Sequence, residues 1–157
     1  MNLAARSLIW PVCLVGAQKD GKHNVMTAAW VTQVSADPLL IAISVAPGRY
    51  THDLIAQTGE FVLSILSSQQ NEIASFCGSR SGREVDKIKA LNLQTIPSEA
   101  VKVPRIAGCL ANLECKVVAQ YPAGDHTLFL GEVVAADVAP GEAAPLVMYR
   151  GKNVSIS

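Results

Sequence analysis

The sequence has no surplus of either charge: thirteen lysines and arginines face thirteen aspartates and glutamates. Without a basic excess, no nucleic-acid-binding surface is expected, and no block of like charge suggests a solvated tail. No apolar run reaches the ~20 residues of a membrane-spanning helix, so no membrane insertion is expected either. The N-terminal L-I-W-P-V-C-L-V-G is apolar but short and interrupted by Pro11; it reads as a strand and not as a targeting segment. The four cysteines, Cys13, Cys77, Cys109 and Cys115, show no C-x-x-C spacing. Neither zinc nor any other metal is expected, and the thiols read as reduced cytoplasmic cysteines. Also missing are Gly-x-Ser-x-Gly, the Walker Gly-x-x-x-x-Gly-Lys, His-Glu-x-x-His, and a Gly-x-Gly-x-x-Gly after the first strand. Their absence removes the usual signatures of an α/β hydrolase, a P-loop nucleotidase, a zinc protease and a Rossmann domain. There is no internal repeat and no low-complexity segment.

What is present fits one domain over residues 1–157, long enough to bury a sizeable core. Half of the chain is hydrophobic and 17% is charged. The mean hydropathy of +0.28 is high for a chain this short, which suggests that a second copy covers part of the surface. A homodimer is therefore expected.

Periodicity predicts strands over Leu8–Ala17, Asn24–Ser35, Pro38–Val45 and Glu60–Leu66. A long hairpin is predicted from Gly108–Gln120 and Thr127–Val138, and a last short strand at Val147–Tyr149. Helices are predicted from Thr51 to Gly59, from Ser67 or Ser68 to Cys77-Gly78, and over Lys87–Leu91. Helices are too few for alternating βαβ units. The expected fold is mainly β, a closed or split antiparallel barrel with Greek-key-like strands and short helices packed outside.

The stretch Pro47–Thr58, P-G-R-Y-T-H-D-L-I-A-Q-T, follows the apolar strand 39–45. Thr51 is a suitable N-cap and Asp53 suits a first helical turn. Free N–H groups and the positive end of the helix dipole favour an anion there. Arg49, Tyr50 and Thr51 add a guanidinium and two hydroxyls at that point, which together read as a phosphate seat. An ordinary capped helix with a solvated arginine is the equal alternative. Small residues at Thr27, Ala28 and Ala29 leave strand backbone within reach of a flat ligand, or line a dry core against which Trp30 packs. Ser79–Lys87 is the most polar stretch; Arg80, Arg83 and Lys87 can reach an anion or lie solvated. Cys77 reads either as a reactive thiol or as a small apolar filler. His52 reads as solvated and His23 as a surface residue. His126, directly after Gly124-Asp125, is either a proton donor that also positions a cofactor, or a turn histidine bonded to Asp125.

The ordered series N-V-M-T-A-A-W-V-T-Q-V-S, D-P-L-L-I-A-I-S-V-A-P-G-R-Y-T-H, G-E-F-V-L-S-I-L, F-C-G-S-R-S-G-R-E-V-D-K and G-D-H-T-L-F-L-G-E-V resembles the flavin reductase-like family of FMN-binding split barrels. Within that family it is most similar to the flavoredoxin and ferric-reductase-like branch. The resemblance covers about Pro11 to Gly151. It implies a homodimer that binds FMN non-covalently near the subunit interface. Asn24, Thr27, Ala28, Ala29 and Trp30 would lie along the isoalloxazine, and Ser44 and Val45 beside the ribityl chain. Arg49, Tyr50 and Thr51 would hold the phosphate. Cys77, Gly78, Ser81, Gly82 and Lys87 match the segment that approaches the cofactor, and His126 matches the position on the nicotinamide or substrate side. The tail after Tyr149-Arg150-Gly151 lacks the aromatic that family members often carry. The implied activity is hydride transfer from NADH or NADPH onto flavin, with electrons passed to free flavin, ferric iron or another acceptor. The protein's share of that chemistry is binding, orientation and charge. The alternatives are a flavoredoxin-type electron carrier reduced by a protein partner, and a flavin- or haem-binding module without turnover.

Overall fold

The computed structural model describes residues 2–156. The elements in chain order are β1 (Trp10–Pro11), β2 (Cys13–Lys19), β3 (Lys22–Ala28), β4 (Val31–Ala36), β5 (Leu39–Val45), α1 (Tyr50–Thr58), β6 (Glu60–Ile65), α2 (Asn71–Ser79), α3 (Lys87–Ala90), β7 (Thr95–Ile96), β8 (Arg105–Ile106), β9 (Ala111–Ala123), β10 (His126–Val138), β11 (Leu146–Tyr149) and β12 (Lys152–Ser155). Seven of the strands form one antiparallel sheet in the order β3-β2-β6-β9-β10-β5-β4. Its two end strands, β3 and β4, follow each other in the chain and are joined by Ala29 and Trp30 alone. The sheet's ends therefore meet at that corner, and the mainly β, antiparallel barrel expected from the sequence is present.

That corner corrects the expectation of one long strand over 24–35. The backbone turns locally: Val31 N–H donates to Ala29 O at 3.0 Å, and Ser44 N–H donates to Trp30 O at 3.1 Å. Strand β3 then pairs with β2 while β4 pairs with β5. No local composition signal marks such a break, because it is set by which partner each half finds. The first strand, expected over 8–17, divides for the same reason. Trp10 and Pro11 pair with β11, and Cys13 onward pairs with β3 and β6. Strand β12 was not expected; it pairs with β11 and completes a small sheet, β1-β11-β12, over one end of the barrel. The helix expected to start at a Thr51 cap starts at Tyr50, with Arg49 in extended conformation as the N-cap residue.

The near-continuous apolar runs are explained by burial on both strand faces. Along β2, Cys13, Val15 and Ala17 point into the barrel core with Ile43, Phe61 and Phe129. The alternate residue Leu14, with Val12 just before the strand, packs outward under α2 with Ala74, Cys77 and Leu146. Inside the barrel Gly131 is required by close packing: a Cβ there would sit 2.6 Å from Phe61 Cζ and 2.9 Å from Cys115 Cβ.

Candidate functional site

The turn at Pro47-Gly48 delivers the chain from β5 into α1. Asp53 in the first turn stabilises the helix start, and Gly59, in the left-handed conformation at φ 71°, ends it. The first N–H groups of any helix lack intrahelical partners. At this helix start lies a polar cleft of about 300 Å³, lined by Asn24, Met26, Gly48, Arg49, Tyr50, Thr51, Ser79, Arg80, Ser81, Gly82, Glu84 and Lys87. Most of the residues expected to hold a phosphate are thus brought together from three segments: β3, the start of α1, and the 79–87 loop.

Thr51 is buried, and its Oγ1 accepts a hydrogen bond of 2.8 Å from Asn24 Nδ2. That bond fixes α1 against β3. Gly82 packs so tightly on the Asn24 amide that a Cβ there would overlap it. Gly78 brings α2 onto β3, where a Cβ would lie 3.3 Å from Thr27 Cβ, and Thr27 Oγ1 donates to Ala74 O at 2.6 Å. Lys87 is 3% exposed, and its ammonium donates to Val25 O at 2.9 Å and Cys77 O at 2.7 Å. An ammonium has three donors, so one remains for the cleft that Lys87 lines. Burial, and after it the neighbouring Arg49 charge, push the Lys87 pKa down, against the pull of Cys77. Among the described residues neither Arg49 nor Lys87 has a carboxylate partner.

Arg49 and Met26 also line a second, more apolar slot of about 350 Å³, which therefore adjoins the polar cleft. Its walls are Thr27, Ala28, Ala29 and Trp30 from the β3–β4 corner, Ser44 from β5, and Ala46 and His126. From the small sheet and its flanks come Arg6, Trp10, Met148 and Gly151. These last four, with Met26 and Ala46, were missed by sequence reasoning. The break at Val12 and the strand β12, which bring the chain ends over the slot, leave no local signature. Trp30 lies between Trp10 and His126, its ring tilted by 58° and 42° to theirs with centroids at 6.2 and 4.6 Å. His126 Nδ1 bonds Asp125 Oδ1 at 2.6 Å. The turn bond and the slot-lining position are therefore both present in one residue.

Two expected side chains point elsewhere. Val45 is buried in the barrel core, and the Cys77 side chain packs in the outer core under α2. Burial raises the Cys77 pKa to about 11 despite Lys87, which leaves the thiol protonated at neutral pH and corrects the reactive-thiol alternative. Its carbonyl holds Lys87 instead. His52 is not solvated: Nε2 lies 2.8 Å from Thr127 Oγ1 and the ring meets the edge of Phe129 at 5.2 Å. His23 is not a surface histidine either. Its Nε2 is buried without a partner beside Gly16 and Val103, and burial lowers its pKa to about 4 although Asp86 opposes the shift. Neither the turn beside His23 nor the helix start at His52 reveals this packing in the sequence.

Of the loop arginines, Arg80 lies over the Phe76 ring at 5.2 Å and lines the cleft. Arg83 turns away from the cleft. One nitrogen meets Asp53 Oδ2 at 2.5 Å, another donates to Gly48 O at 3.2 Å, and the guanidinium covers the Tyr50 ring at 5.2 Å.

Residues 5–157 match the family model of the flavin reductase like domain. The chain is 43% identical over 113 residues to a protein of Archaeoglobus fulgidus, across 72% of this chain and 64% of that one. It thus spans a little under two thirds of that relative's length. It is 35% identical over 139 residues to an NADH-dependent flavin reductase of a Rhodococcus species, covering 88% of this chain and 72% of the other. Among solved structures, the NADH:FAD oxidoreductase of Streptomyces globisporus superposes with a TM-score of 0.90 at 27% identity, over 99% of this chain and 90% of that one. Flavoredoxin from Methanosarcina acetivorans superposes with a TM-score of 0.85 at 30% identity, over 95% and 86%.

Proposed function

The chain belongs to the flavin reductase-like domain family, and from that premise we propose that it is an FMN-binding oxidoreductase that draws reducing equivalents from NADH or NADPH. The observation that carries the proposal is the pair of cations, Arg49 and Lys87, without carboxylate partners at one end of a cleft whose other end is an apolar slot. A flavin mononucleotide is an aromatic ring system joined by a polar chain to a phosphate, and this donor set fits it. Lys87 is buried without a carboxylate partner, which is costly in an isolated protein, and the exposed Arg49 guanidinium adds a second positive charge to the same cleft; both favour an anionic ligand at that end.

When bound, the flavin supplies the redox chemistry, taking up a hydride from reduced nicotinamide and giving electrons to an acceptor. The chain's own part is positioning. Arg49, Lys87 and the first N–H groups of α1 bind the phosphate. The small side chains of Thr27, Ala28 and Ala29, with Ser44, line the slot that would receive the ring. Gly78 and Gly82 let α2 and its loop approach closely enough to shape the cleft, and Ser81 lines it. Trp30 and Trp10 exclude water from the slot mouth. His126, packed at a tilt against Trp30 and oriented by Asp125, would face a second substrate and hold a proton at Nε2. The proposed molecule is one domain over residues 1–157, a homodimer in the cytoplasm with FMN near the subunit interface. The high mean hydropathy and the exposed apolar residues Val34, Val118 and Val134 support a covered face.

The test is the visible spectrum of purified protein with FMN, or with FAD in a parallel sample, followed by anaerobic NADH or NADPH. A bound flavin spectrum that bleaches is the expected result. Failure to bind either flavin would overturn the proposal. A bound flavin that stays oxidised would favour the second reading, an electron carrier reduced by a protein, which the likeness to flavoredoxin supports. His126→Ala is expected to slow reduction about tenfold or more while leaving FMN affinity within about twofold. Equal reduction rates would leave His126 only its turn bond to Asp125.

A further inference from the structure

The loop that walls the polar cleft is held shut from outside the cleft. Three contacts of Arg83, to Asp53, Gly48 O and the Tyr50 ring, all fall on the first turn of α1 and the turn before it. Arg83 follows directly after Ser81 and Gly82, which line the cleft. Ser81 Oγ in turn accepts the Arg83 N–H at 3.2 Å. The guanidinium therefore joins two of the three segments that make the cleft, while its charge is directed to Asp53 and not to the cleft interior. We propose that Arg83 is a positioning residue: with Asp53 it forms a strap whose release opens the polar cleft and sets how fast the flavin leaves.

Retention of flavin bears on whether it stays as a fixed carrier or exchanges as a diffusing substrate, and that part of the inference rests on the function proposed above. Both side chains are nearly half exposed, at 46% and 45%. The ion pair is thus accessible to salt and of modest strength, as a strap that opens repeatedly requires. On its other flank the loop is held by the packing of Gly82 on Asn24, which has no charge to screen.

Asp53→Asn distinguishes a strap from a phosphate contact by sign. If Arg83 served the phosphate directly, removing the nearby carboxylate would free the guanidinium, remove a negative charge, and tighten FMN. If Arg83 is a strap, the same change loosens the loop and weakens FMN. We expect Asp53→Asn to speed FMN release about two- to fivefold, and Arg83→Gln about three- to tenfold. The double variant should do no more than Arg83→Gln alone, because the carboxylate acts through the guanidinium. Release is measured by the rise of free-flavin fluorescence after rapid dilution of the flavin-loaded protein to well below its dissociation constant. In parallel, amide hydrogen exchange of residues 79–86 is measured without flavin, where both variants should exchange faster than the wild type. The second readout does not depend on flavin: a wild type that fails to bind FMN would overturn the functional proposal while exchange still decides the strap. Tighter or unchanged FMN binding in Asp53→Asn, or exchange in the loop equal to wild type, would overturn the strap.

Discussion

Two regions of this barrel gather charge, and they do it in opposite ways. At the polar cleft, exposed Arg49 and buried Lys87 converge, and among the described residues neither is ion-paired to Glu84, the carboxylate that also lines the cleft. Elsewhere, where β8 and β9 meet the 97–103 loop, Glu114 is fully buried and every one of its partners is protein. It accepts backbone N–H bonds from Glu99 at 3.1 Å, Ala100 at 2.6 Å and Val101 at 3.2 Å, and it pairs with Arg105 Nε at 2.7 Å. Arg105 also bonds Asp137 at 3.0 Å, and Asp137 accepts from Asn112. Burial alone would raise the Glu114 pKa, but the bonds from Ala100, Glu99 and Arg105 outweigh it and hold the carboxyl below its ordinary value. A knot of this kind pins a loop and spends its charges on one another. The cleft has cationic donors in excess, Arg49, Arg80 and Lys87 against Glu84, as the anionic ligand proposed above requires.

Breaking the knot should give the largest effect. Glu114→Ala leaves Arg105 buried beside fewer partners and frees three backbone N–H groups, and about 3–5 kcal/mol of stability should be lost in urea unfolding. Because the folded-state pKa is depressed, the Glu114 contribution is complete above its unfolded value of about 4.5 and is lost as pH falls through the lower folded value. Arg49→Ala should show the reverse pattern. FMN affinity should fall by about 1.5–3 kcal/mol, while stability of the flavin-free protein stays within about 0.5 kcal/mol. An Arg49 variant that unfolds as easily as the Glu114 variant would erase the distinction.

Lys87→Met sharpens the comparison because Lys87 belongs to both categories. Val25 O and Cys77 O lose their donor, so a stability cost of about 1–3 kcal/mol should accompany weaker FMN binding. The smallest expected effect is a pH slope at His23. Its folded pKa lies near 4 against 6.5 unfolded, so the unfolded chain takes up the proton first. Stability should fall as pH drops from about 6.5 to about 4 and level off below. His23→Gln should flatten that part of the titration, and an unchanged slope would mean that the ring is hydrated.

Much of this was legible in the sequence where function follows from neighbours in the chain. Arg49, Tyr50 and Thr51 sit together because a Pro-Gly turn and a helix start are local signals. The sequence did not show that Arg49, with its extended backbone, is itself the capping position or that Thr51 turns inward to Asn24. The fate of Arg83 was not legible. It lies in a polar loop beside Arg80, and only the fold brings Asp53 to one and the ring of Phe76 to the other. The same holds for Trp10 and Met148, which reach the slot through the pairing of β1 with β11. His23 and His52 were misjudged because a turn or a helix start is usually exposed, whereas here each packs beneath a neighbouring segment.

The corner at Ala29 and Trp30 sets a clock on how the molecule assembles. The sheet it closes depends on distant pairings: Val45 opposite Thr127, and Glu60 opposite Lys116. Such pairings are entropically expensive to begin and place a chain of this size among the slower folders, on a scale of milliseconds to seconds. The slot can take shape only once β4 and β5 have joined β10 and the corner is drawn beside β3. A flavin is therefore a late arrival that selects finished barrels, and added cofactor should slow unfolding while leaving the refolding rate of a freshly diluted chain almost untouched.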